Sequence, residues 1–133
     1  MDRRKMIGLA TAASSAAAAQ TPPPARAAKV FFKQALPDLQ MTGWVANAIE
    51  VTYGPGEVSN PHQHAGFVLG YVLEGEVRFQ LRGQPERVVQ TGEMFYEPPG
   101  SVHQVSGNAS KTQQARLLAL IMAPADIPLT KPA

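Results

Sequence analysis

Beyond residue 40 the chain is written in twos. Glu76–Arg82 shows this most cleanly: Val77, Phe79 and Leu81 fall on one side, Arg78, Gln80 and Arg82 on the other. That is the period of a strand with one buried face. Phe67–Leu73 is almost continuously apolar, as expected of a strand covered on both faces. Val30, Phe31 and Phe32 predict a strand over Lys29–Leu36, and Val45, Ile49, Val51 and Tyr53 predict another over Met41–Tyr53. Shorter strands are predicted at Arg87–Val89, Met94–Tyr96 and Val102–Val105, and a longer one at Gln114–Met122. Turn residues punctuate them: Gly54-Pro55-Gly56, a tight hairpin turn at Glu74-Gly75, Gly83-Gln84-Pro85, Gly92 and the rigid Pro98-Pro99-Gly100. Pro124 and Pro128 end the regular pattern, so residues 125–133 read as a loose tail. No segment has the period of an amphipathic helix. Many short strands at this spacing predict a small all-β sandwich or barrel over residues 29–124.

The first residues follow another pattern. A charged start, Asp2-Arg3-Arg4-Lys5, precedes an alanine-rich apolar run from Met6 to Ala19. Ala17-Ala18-Ala19 offers a small-residue cleavage site, and Ala25-Arg26-Ala27 a later one. This is the layout of a bacterial export signal over residues 1–19, and the paired arginines resemble the twin-arginine type, with Asp2 where Ser or Thr is usual. That route carries folded proteins, so it implies a periplasmic or secreted protein whose metal can be loaded before export. The run is too short for a stable membrane anchor. Residues 20–28, with Pro22-Pro23-Pro24, read as an extended linker.

Composition narrows the chemistry. The 133 residues suit one domain. There is no cysteine, which excludes disulfides, thiolate metal sites and cysteine nucleophiles. The net charge of +2 lies in the leader: beyond residue 19 the chain has 9 basic and 9 acidic residues. No basic patch speaks for nucleic acid. There is no G-x-S-x-G elbow and no phosphate-binding loop.

All three histidines fall in two stretches. His62 and His64 stand two apart after Gly56-Glu57-Val58-Ser59-Asn60-Pro61, and His103 follows Pro98-Pro99-Gly100. Residues i and i+2 of a strand share a face, with α-carbons about 6–7 Å apart, so two imidazoles can meet on one ion. The rigid turn fixes where the strand bearing His103 begins. Neutral imidazole suits one divalent transition metal, Fe, Zn, Ni or Cu, and tolerates Mn less well.

These two stretches resemble the paired motifs of the cupin superfamily. The first, G-x5-H-x-H closing on a later glycine, matches at Gly56, His62, His64 and Gly75; the second, G-x5-P-x-G-x2-H-x3-N, matches at Gly92, Pro98, Gly100 and His103, with Asn108 one residue late. The resemblance covers residues 42–122. It implies a double-sheet jelly-roll barrel (a double-stranded β-helix) with His62, His64 and His103 holding a metal near its mouth. It is compatible with a homodimer through a sheet face, although Arg78, Gln80 and Arg82 make one outer face polar.

One family ligand is missing. The glutamate expected near position 68 or 69 is replaced by Val68 and Leu69. Three neutral imidazoles leave the ion's charge uncompensated, which favours an anionic substrate and open coordination positions. Glu97, just ahead of Pro98, is the candidate to restore a carboxylate. Facing inward it is a fourth ligand, a partner behind a ligand or a general base, and Tyr96 then faces out. Facing outward it is a surface carboxylate near Arg78 or Arg87. Glu57, Glu74 and Glu76 are expected in solvent. Trp44, Phe67, Tyr71 and Phe79 read as core rather than pocket lining.

The sequence therefore predicts an exported metal-binding cupin. Dioxygenase-like oxidation of a small anionic or phenolic substrate is the favoured chemistry, with isomerisation or hydrolysis at the same site. The alternatives are a non-catalytic periplasmic module that captures a small ligand or metal, and a barrel that serves only as a scaffold.

Overall fold

The computed structural model describes residues 26–133. The export signal, its earlier cleavage site and most of the linker lie outside them. Residues 26–31 carry no regular structure, with Val30 and Phe31 exposed. Residues 32–41 are equally irregular, so the strand expected over Lys29–Leu36 does not form. The apolar triplet has strand propensity, but a strand exists only where a neighbour offers a ladder.

Ten strands follow: β1 (Trp44–Tyr53), β2 (Val58–Ser59), β3 (His62–His64), β4 (Phe67–Glu74), β5 (Glu76–Leu81), β6 (Arg87–Gln90), β7 (Met94–Glu97), β8 (Val102–Asn108), β9 (Ala115–Pro124) and β10 (Thr130–Pro132). They form two antiparallel sheets. One runs β1-β9-β4-β7; the other runs β10-β3-β8-β5-β6, with β2 also on β8. Inward residues of both sheets, among them Val68, Val72, Val77, Phe79, Phe95 and Ile121, form the core. The alternation along β5 and β9 is the sequence pattern made physical.

Two connections differ from expectation. Glu74-Gly75 is not a hairpin, because β4 and β5 belong to different sheets and do not pair. It is a corner between sheets, and it needs glycine: φ is +73°, and a Cβ there would lie 2.5 Å from the Gln114 carbonyl oxygen. The tail is not loose throughout. Thr130, Lys131 and Pro132 pair with His64, Gln63 and His62 as β10 on β3. An unpaired edge beside β3 attracts the chain end, a tertiary effect that local sequence does not show.

Candidate metal centre

His62 and His103 sit opposite each other across the β3–β8 ladder, and His64 follows on the same face as His62. A bulge completes the arrangement. Along β5, Gln80 pairs with Val105 but Leu81 pairs with His103, so β8 holds one extra residue there. Without it, His103 and Ser106, three apart, would face opposite ways; with it, both are buried. β2 and β3 keep a single register against β8, with Ser59 opposite Ser106 and His62 opposite His103, so Ser59 and His62 are likewise three apart. Beneath His103 lie the rings of Phe79 (4.9 Å between centroids) and Phe95 (6.1 Å). Gly70, opposite Phe95, leaves room for its ring: a Cβ would lie 2.1 Å from Phe95 Cζ.

The hydrogen bonds decide which ring nitrogens face inward. His62 Nδ1 donates to the Asn60 carbonyl at 2.7 Å. His64 Nδ1 lies 3.3 Å from the Leu129 carbonyl and 3.0 Å from Thr130 Oγ1, both just ahead of or within β10. With both Nδ1 atoms protonated, the two Nε2 lone pairs face each other at 3.1 Å. Both side-chain nitrogens of His103 are buried with no hydrogen-bond partner. One nitrogen from each of the three rings falls within 4.8 Å of the others, so this group could hold a metal ion.

Glu97 faces inward. It is 4 % exposed, with Oε1 3.2 Å from His103 Nδ1 and Oε2 3.9 Å from His64 Nε2. Phe95 shares its buried face, while Met94 and Tyr96 are only partly covered. The surface alternative is thereby corrected: Arg78 pairs instead with Glu86, at 2.6 Å, and Arg87 lies over the Phe79 ring. Glu57, Glu74 and Glu76 are exposed as expected. Burial pushes the Glu97 carboxyl up to about 8. Burial, and then the neighbouring His62 and His64, push His103 down to about 3. His64 is lowered by burial and by His62, against the bond to Leu129. Four groups that are acceptors when deprotonated thus share one corner, and among the described residues no lysine or arginine forms an ion pair with Glu97. That donor set fits a divalent transition metal.

The corner opens into a cavity of about 470 Å³ between the sheets. Ile49, Val51, Leu117, Ala119 and Ile121 make its wall apolar. Sequence reasoning missed two of its features. The first is Tyr53, whose hydroxyl meets Ser59 at 2.7 Å and Ser106 at 2.8 Å. Three hydroxyls joined by two contacts leave one O–H free to donate to a ligand. The second is β10, which brings Thr130 and Lys131 to the cavity. Of the four aromatics weighed from sequence, Phe67 and Phe79 are core, and none of the four lines the cavity.

The sequence pattern of the cupin domain matches residues 49–121, more than half of the chain. The chain belongs to the cupin family. Solved structures agree. This cupin superposes on a cupin-like protein from Thermotoga maritima with a TM-score of 0.58 at 23% identity, covering 66% of this chain and 64% of that one. The DMSP lyase DddQ from Ruegeria pomeroyi gives 0.58 at 22% identity, covering 66% and 43%. An oxalate oxidase gives 0.58 at 26% identity, covering 69% and 47%. The chain thus spans less than two thirds of the length of each. No curated protein sequence matches it.

Proposed function

We propose that this cupin is an exported, metal-dependent enzyme acting on a small molecule, with dioxygenase-like oxidation as its chemistry. The observation that carries the reading is the convergence of three imidazoles, their free nitrogens facing one another, at the wall of a cavity whose β1 and β9 side is apolar. His62, His64 and His103 are the metal-holding residues in this reading. A transition metal bound there would supply a point where an anionic or phenolic substrate and oxygen are brought together. The chain's own residues do the rest. The β1 and β9 side chains exclude water, and the Ser59–Tyr53–Ser106 hydroxyls orient a polar atom of the substrate. Asn60 and Leu129 hold two of the rings in the tautomer that leaves Nε2 bare. The similarity to an oxalate oxidase and to a DMSP lyase supports a small substrate. Export rests on the Arg3-Arg4-Lys5 start and the alanine-rich run.

Metal analysis of the natively exported protein, followed by oxygen-uptake assays over small phenols and carboxylates, tests the proposal. Iron, nickel, copper or manganese with uptake abolished by His62→Ala is the expected result. Zinc alone without oxygen uptake overturns the oxidative chemistry, and a protein that retains no metal overturns the reading as a whole. Cell fractionation with Arg3 and Arg4 both changed to Lys tests export: the variant should stay in the cytoplasm.

A further inference from the structure

The family's glutamate position and Glu97 are neighbours. Val68, where a ligand glutamate is expected, pairs directly with Glu97 across the β4–β7 ladder. Both side chains are buried, 1 % and 4 % exposed, and paired residues on adjacent strands project from the same face of a sheet. A carboxylate one strand over, about 5 Å away, therefore reaches the same corner.

We infer that Glu97 is the fourth metal ligand of this cupin, with its carboxylate moved from β4 to the facing position on β7. This rests on the metal-centre reading above and deepens it. Two donors that each sit about 2.1 Å from one ion lie between roughly 3.0 and 4.2 Å apart, depending on the angle between them. Three of the separations fall in that window: His62 Nε2 to His64 Nε2 is 3.1 Å, Glu97 Oε1 to His103 Nδ1 is 3.2 Å, and Glu97 Oε2 to His64 Nε2 is 3.9 Å. The three imidazoles spread over as much as 4.8 Å, so an ion would draw the donors slightly closer. The carboxylate is not engaged elsewhere. Among the described residues no backbone N–H, hydroxyl, lysine or arginine donates to it; its polar neighbours are the imidazoles of His64 and His103. The 3.2 Å approach of Glu97 Oε1 to His103 Nδ1 lacks hydrogen-bond geometry, so neither atom is committed to the other. The three imidazoles come from one sheet and the carboxylate from the other. An ion held by all four would pin the two sheets together at the mouth of the cavity. The arrangement also removes the charge argument made from sequence, because one negative group then offsets the divalent ion. A neutral or singly charged substrate becomes as suitable as a dianion.

The test is metal binding rather than turnover. Full-length protein stripped with chelator is titrated with Co²⁺ by calorimetry, and its visible absorption is recorded when loaded. Glu97→Gln is expected to weaken Co²⁺ binding by about 10–100-fold and to shift the visible bands, since one oxygen ligand is lost. Val68→Glu combined with Glu97→Val returns a carboxylate from the other strand and is expected to recover affinity to within about fivefold of the parent. Glu97→Gln binding within about threefold of the parent, or with unshifted bands, overturns the assignment while leaving the histidine centre intact. A folded double variant that recovers nothing overturns the strand exchange. If the parent binds no Co²⁺, the metal centre falls, and this inference with it. Should the Val68→Glu change prevent folding, the Glu97→Gln affinity and spectrum decide alone.

Discussion

Stripped of metal, this protein carries a buried acid that should set its stability against pH. Burial strengthens the hold of the Glu97 carboxyl on its proton, so the neutral form stabilises the fold fully below its ordinary 4.5, and that contribution drains away as pH climbs through about 8. At about 1.4 kcal/mol per pH unit the shift caps the effect near ~5 kcal/mol; water entering the cavity leaves about 2–3 kcal/mol of it. His103 works in the opposite sense. Its neutral ring stabilises the fold above its ordinary 6.5, and that contribution is lost as pH falls towards about 3. The two trends cancel between about 4.5 and 6.5, so metal-free protein holds its greatest stability across that interval and weakens beyond either end. Urea denaturation of chelator-treated protein at pH 6 and pH 9 measures this. A little over half of the Glu97 effect falls between pH 6 and pH 8, so at about 1–2 kcal/mol per molar urea the parent midpoint should drop by roughly 0.5–1.5 M at the higher pH. Glu97→Gln removes the titrating group, so its midpoint should hold nearly constant over the same interval. A parent midpoint that does not move, or a glutamine variant that falls in parallel, contradicts this account of the buried acid.

Three further outcomes are expected. Gly66→Ala should cost at least about 3 kcal/mol by urea denaturation, because φ is +67° and the new Cβ would sit 1.9 Å from the Met122 carbonyl oxygen. Removing Pro128–Ala133 deletes β10 together with the Leu129 and Thr130 partners of His64, and should weaken Co²⁺ binding by about tenfold while circular dichroism keeps its strand signal. Asn108→Ala should cost about 2–4 kcal/mol in chemical denaturation; its amide donates to the Gly54 carbonyl at 3.0 Å and the Gln113 carbonyl at 2.6 Å, and accepts from Ser110 N–H at 2.8 Å. Asn108→Asp should be worse than Ala, since a carboxylate cannot donate to those carbonyls.

The asparagine shows how far linear spacing reaches. It sits one residue beyond its place in the family motif, yet it is buried and ties together the ends of β1 and β8 and the loop before β9. The bulge of β8 lies in the same interval, between His103 and Asn108. Alternation along β5 and β9 was readable because a half-buried strand forces period two on its sequence. The absence of a strand over Lys29–Leu36 was not, because local propensity carries no information about whether a partner edge exists. The same limit hid β10, whose exposed residues lack any period and pair only because β3 has a free edge. Glu74-Gly75 looked like a hairpin for a related reason: a glycine at positive φ serves a tight turn or a corner between sheets equally well.

Residue order alone was enough to establish an all-β protein, an apolar face on each main strand, and histidines standing in an H-x-H pair and behind a proline turn. Those follow from local chemistry and from the two-residue repeat of a strand. The direction in which Glu97 points, the placing of Val68 opposite it, and the bulge that turns His103 and Ser106 into one cavity came from the folded chain. Each depends on the register between strands far apart in sequence, and a shift of one residue would send every one of those side chains to the other face.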